Sequence, residues 1–187
     1  MIATAVATPF AAASPCPNLN TVSNWTVATS GPLVQTGPLF ANQFGGDWIA
    51  LSQRNAESYL SVGDNAPNQN NPGAVTIRIS TTFQARAGVT YNLNFLLRAW
   101  GAEAVGQTVV FNIGGTTLFS AATKAGMGPT LVIGDGVERT LNLSWTATTT
   151  GPTTAEFVFT LPKIPTGVSP TNDDIRVTLP LITNTVC

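Results

Sequence analysis

Tyr91-Asn92-Leu93-Asn94-Phe95-Leu96-Leu97 sets an apolar side chain at every second position, with asparagine at two of the three places between. A period of two is the mark of a β-strand with one buried face and one wetter face. An amphipathic helix would instead space its apolar residues three and four apart. The same alternation recurs along the chain. Val75, Ile77 and Ile79 alternate with Thr76, Arg78 and Ser80, and Val109 and Phe111 with Thr108 and Asn112. Leu141, Leu143 and Trp145 alternate with Thr140, Asn142 and Ser144; Phe157, Phe159 and Leu161 with Glu156 and Thr160; Ile175, Val177 and Leu179 with Arg176 and Thr178. Turn signals separate these runs: Gly63-Asp64-Asn65, Asn71-Pro72-Gly73, Ala87-Gly88, Gly114-Gly115, Gly134-Asp135-Gly136, Gly151-Pro152 and Ser169-Pro170. Gly134-Asp135-Gly136 reads as a hairpin turn, and Ser120 to Pro129 as a small-residue loop with room for one helical turn. Many short strands with this punctuation and no helical period define an all-β chain, a sandwich or a barrel.

Composition narrows the function. The chain has no histidine, and its charges are 8 Lys+Arg against 9 Asp+Glu in 187 residues. The first charged residue is Asp47. Without histidine, Ser-His-Asp, Cys-His and His-metal sites are excluded. A glycosidase needs two carboxylates across a cleft, and no acidic pair is marked by the sequence. The chain therefore reads as a non-enzyme. A net charge of −1 gives no footprint for nucleic acid. No run of 18 apolar residues is present, which predicts no membrane-spanning helix. Threonine outnumbers serine 28 to 10. Its β-branched side chain suits a half-wet strand surface.

Two segments suggest organisation. Residues 1–15 form an apolar, uncharged arm or signal remnant, and residues 16–187 a single β-sandwich domain. Ile2-Ala3-Thr4-Ala5-Val6-Ala7-Thr8 alternates larger and smaller side chains, which reads as a strand. Cys16 and Cys187 sit at the two ends of the domain. Chain termini often lie close together, so a disulfide between them is expected. It would close a loop of about 170 residues, contribute roughly 5 kcal/mol by the chain-entropy model, and imply an oxidising compartment.

Several short motifs carry a family likeness: Asn24-Trp25-Thr26-Val27 before a Gly-Pro turn, Tyr59-Leu60 before a polar loop, and Ala87-Gly88-Val89-Thr90-Tyr91-Asn92-Leu93-Asn94-Phe95. Ser144-Trp145-Thr146-Ala147 before Gly151, and Asn172-Asp173-Asp174-Ile175-Arg176-Val177 opening the last long strand, complete the set. This pattern resembles the galactose-binding-like jelly rolls, including carbohydrate-binding modules of the family 4/9 type, over about residues 18–179. The resemblance implies an antiparallel jelly-roll β-sandwich. It implies sugar stacking on exposed aromatics, for which Trp25, Trp48, Tyr59 and Trp100 are the candidates. It also implies a structural calcium ion at Asp173 and Asp174, whose acidic partner near the N-terminal strand is missing from Asn18 to Asn24. No other cofactor is suggested.

Two functions follow. In the first, the chain is an extracellular structural or adhesive subunit, at a cell or virion surface. Ile2, Val6 and Phe10 of the arm would fill pockets in a neighbouring copy by strand addition, giving a homopolymer. In the second, it is a glycan-binding module built on the exposed aromatics. The first explains the arm, and the sequence reading favours it.

Overall fold

The computed structural model describes residues 14–31, 46–54, 57–65, 74–100, 106–126, 128, 131–162 and 173–187; over 46–54, 57–65, 173 and 174, and at 29, it describes the backbone alone. The arm residues Ile2, Val6 and Phe10 lie outside the described residues. The strands are β1 (Thr26–Ser30), β2 (Gly46–Arg54), β3 (Glu57–Asn65), β4 (Val75–Ala85), β5 (Thr90–Ala99), β6 (Thr108–Ile113), β7 (Thr116–Ala122), β8 (Leu131–Val132), β9 (Arg139–Thr146), β10 (Gly151–Leu161), β11 (Asp173–Thr178) and β12 (Leu181–Ile182). Among the described residues, the one helical segment is a 3-10 turn at Val22–Asn24.

Two sheets make the sandwich. The first runs β1-β4-β10-β6-β7-β8, and the second β12-β5-β11-β3-β2 with β9 on the other flank of β5. The chain changes sheet at each step from β3 to β4, β4 to β5 and β5 to β6, and again from β8 to β9, β9 to β10 and β10 to β11. This is the jelly-roll β-sandwich. β12 continues the line of β11 along β5. From Val177 opposite Leu97 to Leu181 opposite Asn94, four residues advance on one strand against three on the other. The extra residue falls at Leu179-Pro180, where proline has no N–H to give the ladder.

The period-two runs behave as their pattern dictates. β4 buries Val75, Ile77, Ile79, Phe83 and Ala85, and β5 buries Tyr91, Leu93, Phe95, Leu97 and Ala99. β10 buries Phe157, Phe159 and Leu161, and β11 buries Ile175 and Val177. Rings from both sheets meet at the centre. Phe157 of the first sheet lies 5.4 Å from Phe95 of the second and 4.5 Å from Phe111. Each such pair adds about 0.5–1.5 kcal/mol to simple burial. Gly114-Gly115 joins β6 to β7 with φ of 57° and 78°, both in the region that a type I′ turn demands and that only glycine enters freely.

The Cys16–Cys187 disulfide is formed, across a sequence separation of 171. Beside it the Cys187 N–H donates to the Ser14 carbonyl at 3.1 Å.

Two local expectations are corrected. Ser120 to Ala122 is strand, not the start of a helical turn, because Ala121 and Ala122 are fully buried. The pairing continues through Thr123, whose N–H donates to the Gln107 carbonyl at 2.9 Å and whose hydroxyl accepts from the Gln107 N–H at 2.7 Å. Gly134-Asp135-Gly136 is not a hairpin turn. It lies between β8 of the first sheet and β9 of the second, so it carries the chain across the sandwich.

Candidate functional site

With alternate residues of β5 committed to the core, Thr90, Asn92, Asn94, Leu96, Arg98 and Trp100 fall on the outer face of the second sheet. Cross-strand partners share a face, so the ladder extends this surface in both directions. On β9 it adds Thr146, Ser144, Asn142 and Thr140, opposite Thr90, Asn92, Asn94 and Leu96. The Thr90 and Thr146 hydroxyls are 2.8 Å apart, and the Asn94 Nδ2 donates to the Asn142 Oδ1 at 2.8 Å. On the other flank Arg176 stands opposite Arg98, and Leu181 opposite Asn94. Leu181 is half exposed.

The backbone register carries the face on to β3 and β2. Thr178 is opposite Tyr59, Arg176 opposite Ser61, and Asp174 opposite Gly63. Gly63 is in turn opposite Trp48, and Tyr59 opposite Ser52. Trp100 lies one residue beyond the pair Ala99–Ile175, which aligns it with Asp174, Gly63 and Trp48. The Trp48 and Trp100 backbone positions are therefore three strand spacings apart, about 14 Å. Three of the four aromatic candidates, Trp48, Tyr59 and Trp100, share one register face.

Trp25 does not join them, which corrects its place among the candidates. It is 3% exposed, its ring is 5.9 Å from Phe157, and its indole N–H donates to the Leu19 carbonyl at 2.8 Å. A ring so enclosed has no face to offer a ligand. Trp145 packs against Tyr91 and Phe83 at 5.7 and 6.3 Å, on the core side of its sheet.

Trp100 is half-buried and sits among cations. The Arg98 guanidinium lies 4.4 Å from its ring centroid and the Arg176 guanidinium 5.5 Å. Arg98 is held further by its Nε, which donates to the Gly136 carbonyl at 2.7 Å. The Gly136 N–H donates to the Ala99 carbonyl at 2.7 Å, tying the crossing segment to the end of β5. At φ of 73° and with Trp100 Cδ1 and Nε1 only 3.1 Å from where a Cβ would stand, residue 136 is restricted to glycine.

The same segment carries a charge pair. Asp135 accepts from Arg139 through both carboxylate oxygens, at 2.9 and 2.6 Å, and from the Val137 N–H at 3.0 Å. The Arg139 side chain first, and the Val137 N–H second, hold the Asp135 carboxyl down at about 2. The carboxylate in turn raises the Arg139 guanidinium further above its ordinary value. These contacts join the rim of the outer face to the crossing segment.

The backbone also places Asp173 opposite Asp64, and Asp64 opposite Asp47. The side chains of Asp173 and Asp174 lie outside what the structure describes, so a calcium ion there remains a proposal. Among the described residues, no group of three His, Cys, Asp or Glu is placed to hold a metal ion. The Arg98–Trp100–Arg176 cluster and the Asn94–Asn142 pair were not singled out from sequence. Each joins residues from different strands, and no local spacing announces them.

No family model matches the chain, and no curated protein matches it. Solved structures with a similar chain path include a family 61 carbohydrate-binding module, TM-score 0.46 at 10% identity, over 89% of this chain and 99% of that one, solved with β-1,4-galactotriose. A cleaved adhesin domain of Lys-gingipain from Porphyromonas gingivalis gives a TM-score of 0.47 at 11% identity, over 88% of this chain and 94% of that one. A family 27 carbohydrate-binding module described for mannan recognition gives 0.42 at 10% identity, over 92% and 98%. The all-β jelly-roll sandwich rests on the sheet order described above, not on these likenesses. These likenesses concern the course of the backbone, and what the face does must be argued from its own residues.

Proposed function

We propose that this chain is a non-catalytic glycan-binding domain, extracellular or displayed at a cell surface, and that the outer face of its second sheet is the binding surface. The observation that supports the reading is the register, which collects Trp48, Tyr59 and Trp100 with a ladder of asparagine, serine and threonine side chains. A pyranose ring has an apolar face and a rim of hydroxyls. Aromatic rings suit the first, and amides, which both donate and accept, suit the second. The Cys16–Cys187 disulfide fits an oxidising compartment. The assembly reading rests on Ile2, Val6 and Phe10, which lie outside the described residues.

Affinity electrophoresis through gels containing soluble polysaccharides tests the proposal. Migration of the wild type is retarded by at least one polysaccharide, and Trp48→Ala and Tyr59→Ala each abolish the retardation while far-UV circular dichroism is unchanged. Failure of a broad panel to retard the wild type, or retardation indifferent to both substitutions, defeats it.

A further inference from the structure

Asparagine is depleted from β-strands, yet β5 places it at 92 and 94 and β9 at 142, all on the outer face of the second sheet. A residue type that the local structure disfavours points to a use. Asn94 and Asn142 stand directly opposite each other, and one bond joins their side chains, from the Asn94 Nδ2 to the Asn142 Oδ1 at 2.8 Å. Each primary amide offers two N–H groups and one carbonyl oxygen. The bond leaves the Asn94 oxygen as an acceptor beside the Asn142 NH2 as a donor, and the count is the same whichever amide donates. Held by each other and by two paired strands, these groups lose little freedom on meeting a ligand.

On its other flank Asn94 faces Leu181, which is half exposed while its neighbour Ile182 packs against the core. Leu96, half-buried, follows Asn94 on the same face. The row Leu181–Asn94–Asn142 therefore crosses three strands, β12, β5 and β9, at about 4.8 Å a step. It passes from an aliphatic patch to an acceptor and then to a donor. A pyranose has an apolar face and carries hydroxyls on its rim. Two adjacent hydroxyls, each able to donate and accept, match an amide oxygen and an amide NH2 set side by side.

We infer that the Leu181–Asn94–Asn142 row is a subsite that selects sugars with two adjacent free hydroxyls, as O2 and O3 are in a 1,4-linked hexopyranose chain. This rests on the glycan-binding reading and deepens it, because it specifies the linkage of the ligand. Substitution at either hydroxyl leaves one amide group against the sugar without its partner. Interior residues of a 1,3-linked chain have O3 in the linkage and no adjacent pair free.

Titration calorimetry with oligosaccharides of equal length tests the inference: 1,4-β-linked and 1,3-β-linked chains of glucose, and the same two linkages of galactose. Within each sugar the pair differs in linkage alone. For glucose or for galactose, the 1,4-linked chain binds roughly tenfold more tightly than its 1,3-linked counterpart. Asn94→Leu and Asn142→Leu each remove the preference and leave binding of the 1,3-linked chain as it was. Gln84→Leu, which deletes an exposed amide on the first sheet, leaves the preference intact. Equal binding of the two linkages, tighter binding of the 1,3-linked chain, or a preference that survives both asparagine substitutions overturns the inference and leaves glycan binding standing. So does retardation in the polysaccharide gels above without binding of either 1,4-linked chain. Absence of binding in those gels and to all the oligosaccharides overturns both readings. Should the variants fail to fold, the linkage comparison on the wild type still decides.

Discussion

Replacing Cys16 and Cys187 together with serine asks how far this domain depends on the closure of its ends. The disulfide spans a sequence separation of 171. The chain-entropy model assigns a closed loop of that length about 5 kcal/mol, through restriction of the unfolded chain. For a domain of this size each kcal/mol corresponds to about 2–4 °C in Tm, so the double variant melts about 10–20 °C lower. Few local contacts can substitute. The Cys187 N–H bond to Ser14, the Thr183 N–H bond to Asn92 and the two Asn184 side-chain bonds to β5 hold the last residues, and each contributes only about 1 kcal/mol. The assay is urea denaturation followed by tryptophan fluorescence and circular dichroism. The m-value rises as ΔG falls, because the uncrosslinked unfolded chain exposes more surface. A loss below about 1 kcal/mol with an unchanged m-value refutes the reasoning. It would mean that the unfolded ensemble gains nothing from being opened.

Three further outcomes are expected. The Asp135 carboxyl, followed by carbon-detected NMR, titrates near 2, not at its ordinary 3.8, and Arg139→Gln moves it upward. Its folded value is depressed, so the stabilising contact is fully present above 3.8 and is lost as pH falls through about 2; a wild-type midpoint near 3.8 would contradict the bidentate pair. Thr123→Val strips the buried Gln107 N–H of its hydroxyl acceptor and lowers stability by about 1–3 kcal/mol in denaturant titration, against no change if another acceptor takes over. In light scattering after size exclusion, the full chain and a version lacking residues 1–13 are both monomers; polymers formed by the full chain alone would restore the assembly reading of Ile2, Val6 and Phe10.

The alternation in β4, β5, β6, β9, β10 and β11 was legible because burial imposes period two directly on side-chain chemistry. The disulfide was legible because only two cysteines were available. The burial of Trp25 is hidden in the sequence for a local reason. The residue follows a 3-10 turn and precedes a five-residue strand, too short a stretch to show which face is buried. Ser120 to Ala122 reads as loop in sequence because small residues are neutral in propensity and declare burial only through the strand they pair with. The crossing at Gly134 to Gly136 shares its glycines with a hairpin, and only tertiary pairing tells the two apart. The Arg98–Trp100–Arg176 cluster was illegible in principle. It depends on the pairing of β5 with β11, and the sequence carries no mark of strand order.

The closed ends also determine how the domain bears load. Residues 16 and 187 are covalently joined beside the Asn92 end of β5, with Asn184 bonded to the Asn92 N–H and the Thr90 carbonyl. Trp100 stands at the opposite end of that strand, about 26 Å away along its axis. Tension applied between residues 16 and 187 passes through one sulfur–sulfur bond and bypasses the hydrogen-bonded ladders. A pull on the Trp100 end of β5 against that anchor runs along the strand axis and across the hydrogen bonds that join β5 to β9 and β11.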